Sequence, residues 1–360
     1  MSAPLPTSMT TPMPAMPITD LKGFIGLTAQ GRSLTRAQAE LAFTIMMSGE
    51  ATPAQMGGLL MAMRVRGETI DEITGAVTAM REKMLRISAL PDAIDVCGTG
   101  GDQAGTLNIS TAVAFVCAAC NVPVAKHGNR AASSKSGAAD VLAALGVNID
   151  ADLETIERAL VEVGTTFMWA QKHHSAMRHV GPTRVELGTR TIFNIMGPLS
   201  NPAGVKRQLL GVFAEQWLEP IAQVLKNLGT EHAWVVHGGD GLDEITTTTV
   251  THVCELKNGN IRRFEISPTD YGIRIATAAE LQGADPTHNA QAIRELFDGA
   301  AGPYRDIVLL NAAGALVVAG AAKDLEQGIA MAAEAIDFAK ARKVLEDLIR
   351  VTNEPKAPEP

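Results

Sequence analysis

DVCGTGGDQAGTLNISTAVAFVCAACNVPVAKHGNRAASSKSG, residues 95–137, holds two polar loops joined by one apolar segment, and each loop follows a short strand-like run. In the first loop Gly98, Gly100 and Gly101 let backbone N–H groups approach an anion closely. Asn108-Ile109-Ser110-Thr111 then opens a helix whose N-terminus favours negative charge. The second loop carries Lys126, His127, Gly128, Asn129, Arg130, Ala131, Ala132, Ser133, Ser134 and Lys135. So many donors on two neighbouring loops predict a site for a multiply phosphorylated ligand.

Outward from this stretch, short apolar runs alternate with helical segments: AIDVCG (93–98), STAVAFVCAAC (110–120), VPVAKHG (122–128) and AADVLAALG (138–146). That alternation predicts a parallel sheet covered by helices, with ligands at the carboxyl ends of its strands. It resumes with LLGVFA (209–214), a helix to Leu228, AWVVHG (233–238) and a hairpin at 251–266 turning on Asn258-Gly259. Residues 289–297 and 304–319 read as helices, and 323–350 as one long amphipathic helix. Before all this, Leu21 to about Ile87 is helical in pattern. Capping boxes stand at Thr35…Gln38, Thr52…Gln55 and Thr69…Glu72. The expected apolar faces are Leu41, Ile45, Met56, Leu59, Leu60, Met63, Ile73, Val77 and Met80. The fold class is therefore α/β: a small all-helical domain (19–90) and a large α/β domain with a mainly parallel sheet flanked by helices, running to 352.

The chain of 360 residues is 46% hydrophobic and 19% charged, ordinary for a globular protein, with a net charge of −8. An acidic balance argues against nucleic acid or an anionic membrane as the main partner. Residues 1–18 contain five prolines and no basic residue, so they lack the pattern of a secretory signal and read as a disordered tail, as do residues 353–360. No run reaches the length of a membrane span. Cys97, Cys117, Cys120 and Cys254 read as small buried hydrophobes, and the protein as cytoplasmic.

The glycine loop is neither a dinucleotide fingerprint, since Gln103 stands where the third glycine belongs, nor a Walker A loop, since Thr106 replaces the lysine. Asp102 adds an acid able to orient a ribose hydroxyl or a phosphate-bound Mg2+. Further on, KHHSAMRHVGPTRVELGTRTIFNIMGPLSNPA (172–203) is dense in His and Arg, but its histidines lack companions at zinc-ligand spacing. Arg184 in it is suited to pairing with a carboxylate. Asp243-Glu244, in HGGDGLDEITTTT (237–249), suits Mg2+ when a phosphate shares the coordination.

Taken together, GTGGD (98–102), NIST (108–111), KHGNRAASS (126–134), the block around RVELGTRTIFNIMGPLSNPA and LDE (242–244) resemble the anthranilate phosphoribosyltransferase family over about residues 22–350. The resemblance implies Mg2+-dependent transfer of a 5-phosphoribosyl group from phosphoribosyl pyrophosphate to the amino group of anthranilate. It further implies a homodimer formed through the helical domain, and a segment near 173–196 that returns to that domain. Carried over by position, the phosphoribosyl donor would touch Gly98, Gly101, Asp102, Thr106, the 108–111 segment, the 126–134 loop and position 138, where Ala138 replaces a serine common in the family. Mg2+ would be held by Ser110, Asp243 and Glu244, and anthranilate would meet Gly98, Asn129 and Arg184. A pyrimidine nucleoside phosphorylase shares the architecture but is longer. A nucleic-acid-binding paralogue would need a basic groove.

Overall fold

The computed structural model describes residues 19–102, 104–130 and 135–355. Four helices open the chain: α1 (Leu21–Ala29), α2 (Arg36–Ser48), α3 (Pro53–Arg66) and α4 (Ile70–Lys83). The three expected capping boxes are formed at α2, α3 and α4, the threonine hydroxyl accepting from the N3 amide and the N3 side chain accepting from the cap amide. Each such cap is worth about 1 kcal/mol. One expected face is displaced: Leu41 is exposed, and α2 buries Ala39, Ala42, Phe43, Met46 and Met47 instead. These five lie at helical spacing on one side, which Leu41 does not share.

There follow β1 (Ile94–Gly98), α5 (Ile109–Ala119), β2 (Val124–Gly128), α6 (Ala138–Leu145), α7 (Leu153–Val163), β3 (Thr165–Trp169), α8 (Ala170–His173), α9 (Gly181–Leu187) and α10 (Phe193–Met196). Then come β4 (Arg207–Gly211), α11 (Leu218–Asn227), β5 (His232–Gly238), β6 (Thr251–Lys257), β7 (Asn260–Ile266), α12 (Pro286–Phe297), α13 (Pro303–Ala319), α14 (Leu325–Asp337) and α15 (Lys340–Asn353). The region read as one helix over 323–350 is two, broken where Ala339 takes a φ of 55°. Helix α15 continues through Asn353, and Glu354 pairs with Arg158 at 2.6 Å, so order extends past the expected start of the tail.

The strands form one sheet in the order β3-β2-β1-β4-β5-β6-β7, parallel from β3 to β5, with β6 and β7 antiparallel. Strand β3 was not among the runs expected from sequence. The 258–259 turn has positive φ at both residues, as a two-residue hairpin requires. Because side chains alternate along a strand, each sheet face has its own core. Val96, Leu209, Trp234 and Val253 face α5 and α13, whereas Leu210, Ala233, Val235 and Cys254 join a core continuous with α2–α4 and α11. The segment after β3 returns to the helical side: Ser175–His179 packs on α2, α9 on α3 and α10 on α4. All four cysteines are free thiols, three of them buried.

Sheet order reverses between β1 and β4, whose ends pair at Gly98 and Gly211. Such a reversal opens a crevice beyond the strand ends.

Candidate active site

The 239–250 loop lies over that crevice. It is knitted by Asp240, whose carboxylate accepts from Thr246 and Thr248 hydroxyls, and is held from behind by Asn311, which exchanges two hydrogen bonds with Ile245. This presses Asp243 onto the sheet end. A Cβ at Gly98 would stand 2.3 Å from the Asp243 carboxylate, and one at Gly211 would stand 1.5 Å from its carbonyl oxygen. Only glycine fits at either strand end.

Asp243 is buried and accepts the Gly100 amide at 2.7 Å, while Glu244 accepts the Ser110 amide at 3.2 Å, at the N-terminus of α5. Asp102 comes within hydrogen-bonding reach of Asp243. Burial, followed by the repulsion of Asp102, pushes the Asp243 carboxyl up to about 7. Burial, followed by Asp243, pushes Glu244 up to about 8. Lys126 stands against this acidic group, its Nζ donating to the Ser110 hydroxyl at 3.1 Å and the Val96 carbonyl at 2.5 Å. One ammonium facing three carboxyls leaves the cluster short of positive charge. Its donors are hard oxygens, the set suited to Mg2+. Among the described residues no three His, Cys, Asp or Glu side chains close a metal cage.

The second loop differs from its sequence reading. Lys126, His127 and Gly128 belong to strand β2, and both side chains are buried. Alternation sends Lys126 toward α5 and His127 to the opposite face, where its ring meets His174 with Nε2 atoms 3.2 Å apart. Burial lowers the basicity of both imidazoles, that of His174 to about 4. Asn129 and Arg130 are exposed beyond the strand. Ala131, Ala132, Ser133 and Ser134 lie outside the described residues. Ala138 begins α6.

Around the first loop, the Asn108 amide is taken up by Ser136 and Asn289, and Tyr304 donates to its carbonyl. Ile109 and Thr111 are buried, so the 108–111 segment faces outward chiefly through Ser110 and its amides. Thr106 bridges to Gln282. Arg184, half-buried on α9, lies with its guanidinium 5.3 Å from the Phe193 ring and has no carboxylate partner among the described residues. Arg190 was not singled out by sequence reasoning. It donates to the Gly101 carbonyl and stacks 4.2 Å from the Phe213 ring, pinning the glycine loop from the segment between α9 and α10. Its partner is 89 residues away, beyond any local signal.

The arrangement offers amides, hydroxyls and unneutralised carboxyls to a phosphate–cation ligand on one side, and an unpaired guanidinium to an anion on the other. Residues 22–84 match the glycosyl transferase family helical bundle domain, and residues 90–342 match the glycosyl transferase family a/b domain. Anthranilate phosphoribosyltransferase of Rhodospirillum rubrum is 63% identical over 336 residues, 93% of this chain and 97% of that protein. The enzyme of Azospirillum brasilense is 60% identical over 353 residues, 98% and 99% of the two chains. Among solved structures, the anthranilate phosphoribosyltransferase of Thermus thermophilus superposes with a TM-score of 0.88 at 39% identity, covering 92% of this chain and 99% of that one. That of Saccharomyces cerevisiae, in complex with phosphoribosyl pyrophosphate and Mg, superposes with a TM-score of 0.85 at 25% identity, covering 92% and 97%. The chain belongs to the anthranilate phosphoribosyltransferase family, pentosyltransferases of tryptophan biosynthesis.

Proposed function

We propose that the crevice beyond β1 and β4 transfers the 5-phosphoribosyl group of phosphoribosyl pyrophosphate to the anthranilate nitrogen. The bond from ribose C1 to the pyrophosphate oxygen breaks and a C1–N bond forms, releasing pyrophosphate and one amine proton. The observation that carries this reading is the Asp243–Glu244 pair, Asp243 buried and Glu244 half-buried, short of positive charge beside the N-terminus of α5.

Ser110, Asp243 and Glu244 would hold Mg2+, which neutralises charge on the leaving pyrophosphate when bound. Gly98, Gly101, Asp102, Thr106, the 108–111 amides, the end of β2 from Lys126 to Gly128, Asn129, Arg130 and Ala138 would surround the donor. The amides contribute fixed dipoles at no reorganisation cost, the electrostatic effect that usually dominates such a barrier. His127 turns its ring to the far face of the sheet and donates its amide to the Asp95 carboxylate, so it would shape the strand end without offering the donor a side chain. Arg184, with Asn129 and Gly98, would bind anthranilate by its carboxylate and hold the amine against C1. A neutral aryl amine attacks an oxocarbenium-like centre without prior deprotonation, and no side chain is assigned as general base.

Anthranilate fluorescence, followed as donor and Mg2+ are added, tests the reaction: loss of signal requiring both is expected, and a signal unchanged with both present would overturn it. We also read the protein as a cytoplasmic homodimer formed through its helical side, where Val65 on α3 and Val185 on α9 are 83% and 81% exposed. Sedimentation equilibrium checks that assembly, with twice the chain mass expected.

A further inference from the structure

We propose that Trp169 is a positioning residue for the acceptor, fixing the Asn129 amide so that its NH2 group, and not its oxygen, faces the anthranilate carboxylate. Trp169 ends β3, in register beside Gly128, the last residue of β2, so its indole reaches over the residue that follows. The indole Nε1–H donates to Asn129 Oδ1 at 3.2 Å, and the Arg130 backbone N–H donates to the same oxygen at 2.8 Å. With both donors on Oδ1, turning the amide over would set its NH2 against two N–H groups. The observed orientation is therefore held, and Nδ2 has no protein partner among the described residues. An indole is a donor only, so it cannot stabilise the turned-over state. The Arg130 guanidinium lies over the indole, 5.3 Å from its centroid, and 3.4 Å from Asp140.

The orientation sets the sign of the interaction. An NH2 group donates to a carboxylate, whereas an amide oxygen repels it. The inference rests on the proposed placement of anthranilate at Asn129.

Trp169→Phe keeps an aromatic face for Arg130 and removes the N–H. The expected result is an anthranilate KM raised on the order of fivefold, the worth of about one neutral hydrogen bond, with kcat and the donor KM within about twofold. In an Asn129→Ala background the same change should add nothing to the KM. An undiminished effect in that background, or no effect in the native one, overturns the proposal. If Asn129→Ala raises the KM but Trp169→Phe does not, only the role of Trp169 fails. If Asn129→Ala leaves the KM unchanged, the placement of anthranilate fails and this inference with it. A readout independent of activity is the indole N–H signal of Trp169 in a 1H–15N spectrum, assigned among three tryptophans by its loss in Trp169→Phe. It should shift in Asn129→Ala and stay in place in Arg184→Ala; an unmoved signal in Asn129→Ala overturns the hydrogen bond and the role built on it.

Discussion

Glu72 in the helical region and Asp243–Glu244 at the sheet end, where Asp243 is buried and Glu244 half-buried, are acids treated in opposite ways. Glu72 is fully buried, and its oxygens accept from the Leu34 amide, the Thr69 amide and hydroxyl, and the Arg66 guanidinium. Four protein donors serve its two oxygens, one on Oε1 and three on Oε2. Asp243 and Glu244 each accept one backbone amide and then face each other and Asp102, with Lys126 as the nearby cation. Two arginines repeat the contrast. Arg66 bonds Glu72 and the carbonyls of Arg32 and Gly67, while Arg184 lies over Phe193 with no acid partner among the described residues. A satisfied buried charge ties elements together; an unsatisfied one is suited to a ligand that completes it.

The largest effect that would break this comparison comes from replacing both Asp243 and Glu244 with Ala. Turnover should fall on the order of 10³-fold, about 4 kcal/mol of barrier, and its Mg2+ dependence should change. Retained dependence would remove these residues from the metal site. Glu72→Ala should do the converse. It leaves the Arg66 guanidinium and three other donors without their acceptor, costing about 3–5 kcal/mol of stability in a denaturant melt, with kcat per folded molecule unchanged; a kcat loss with native stability would deny it a purely structural role.

Arg184→Ala should come next, raising the anthranilate KM about 10- to 100-fold, the scale of a charge-assisted hydrogen bond or a bidentate pair, and leaving the donor KM nearly constant. Equal rises in both would place Arg184 outside the acceptor site. The smallest effect is one of pH. A carboxyl whose folded-state pKa is raised contributes stability at low pH and loses it as pH rises through the folded value. For Asp243 and Glu244 that loss runs from about pH 4 to about 7 and 8. Since Mg2+ binds the ionised pair, the melting-temperature gain on adding it should be small at pH 6 and several degrees at pH 9. In Asp243→Asn/Glu244→Gln the pH dependence should vanish, and an equal gain at both pH values in the native protein would contradict the assignment.

Much of this contrast is visible in the residues alone. The Glu72 cap is a local pattern, Thr69-x-x-Glu72, and the adjacent acids at 243–244 stand out on their Gly-rich loop. What escaped has physical reasons. Strand β3 is five residues long and runs into a short helix, so it shows little alternation. The break at Ala339 carries no Gly or Pro. Lys126 and His127 are polar residues that look loop-like, yet strand pairing buries them.

The sequence by itself determined the caps, the hairpin turn, the strand–loop–helix order and the residue types gathered at the strand ends, because each depends on backbone preferences within a few positions. Only the tertiary structure decided that Asp243 rests on Gly98 and Gly211, that Arg190 clamps Gly101 and that Trp169 orients Asn129. Those contacts join residues 32 to 145 positions apart. Sheet order and the reversal between β1 and β4 bring them together, and no local preference encodes that order.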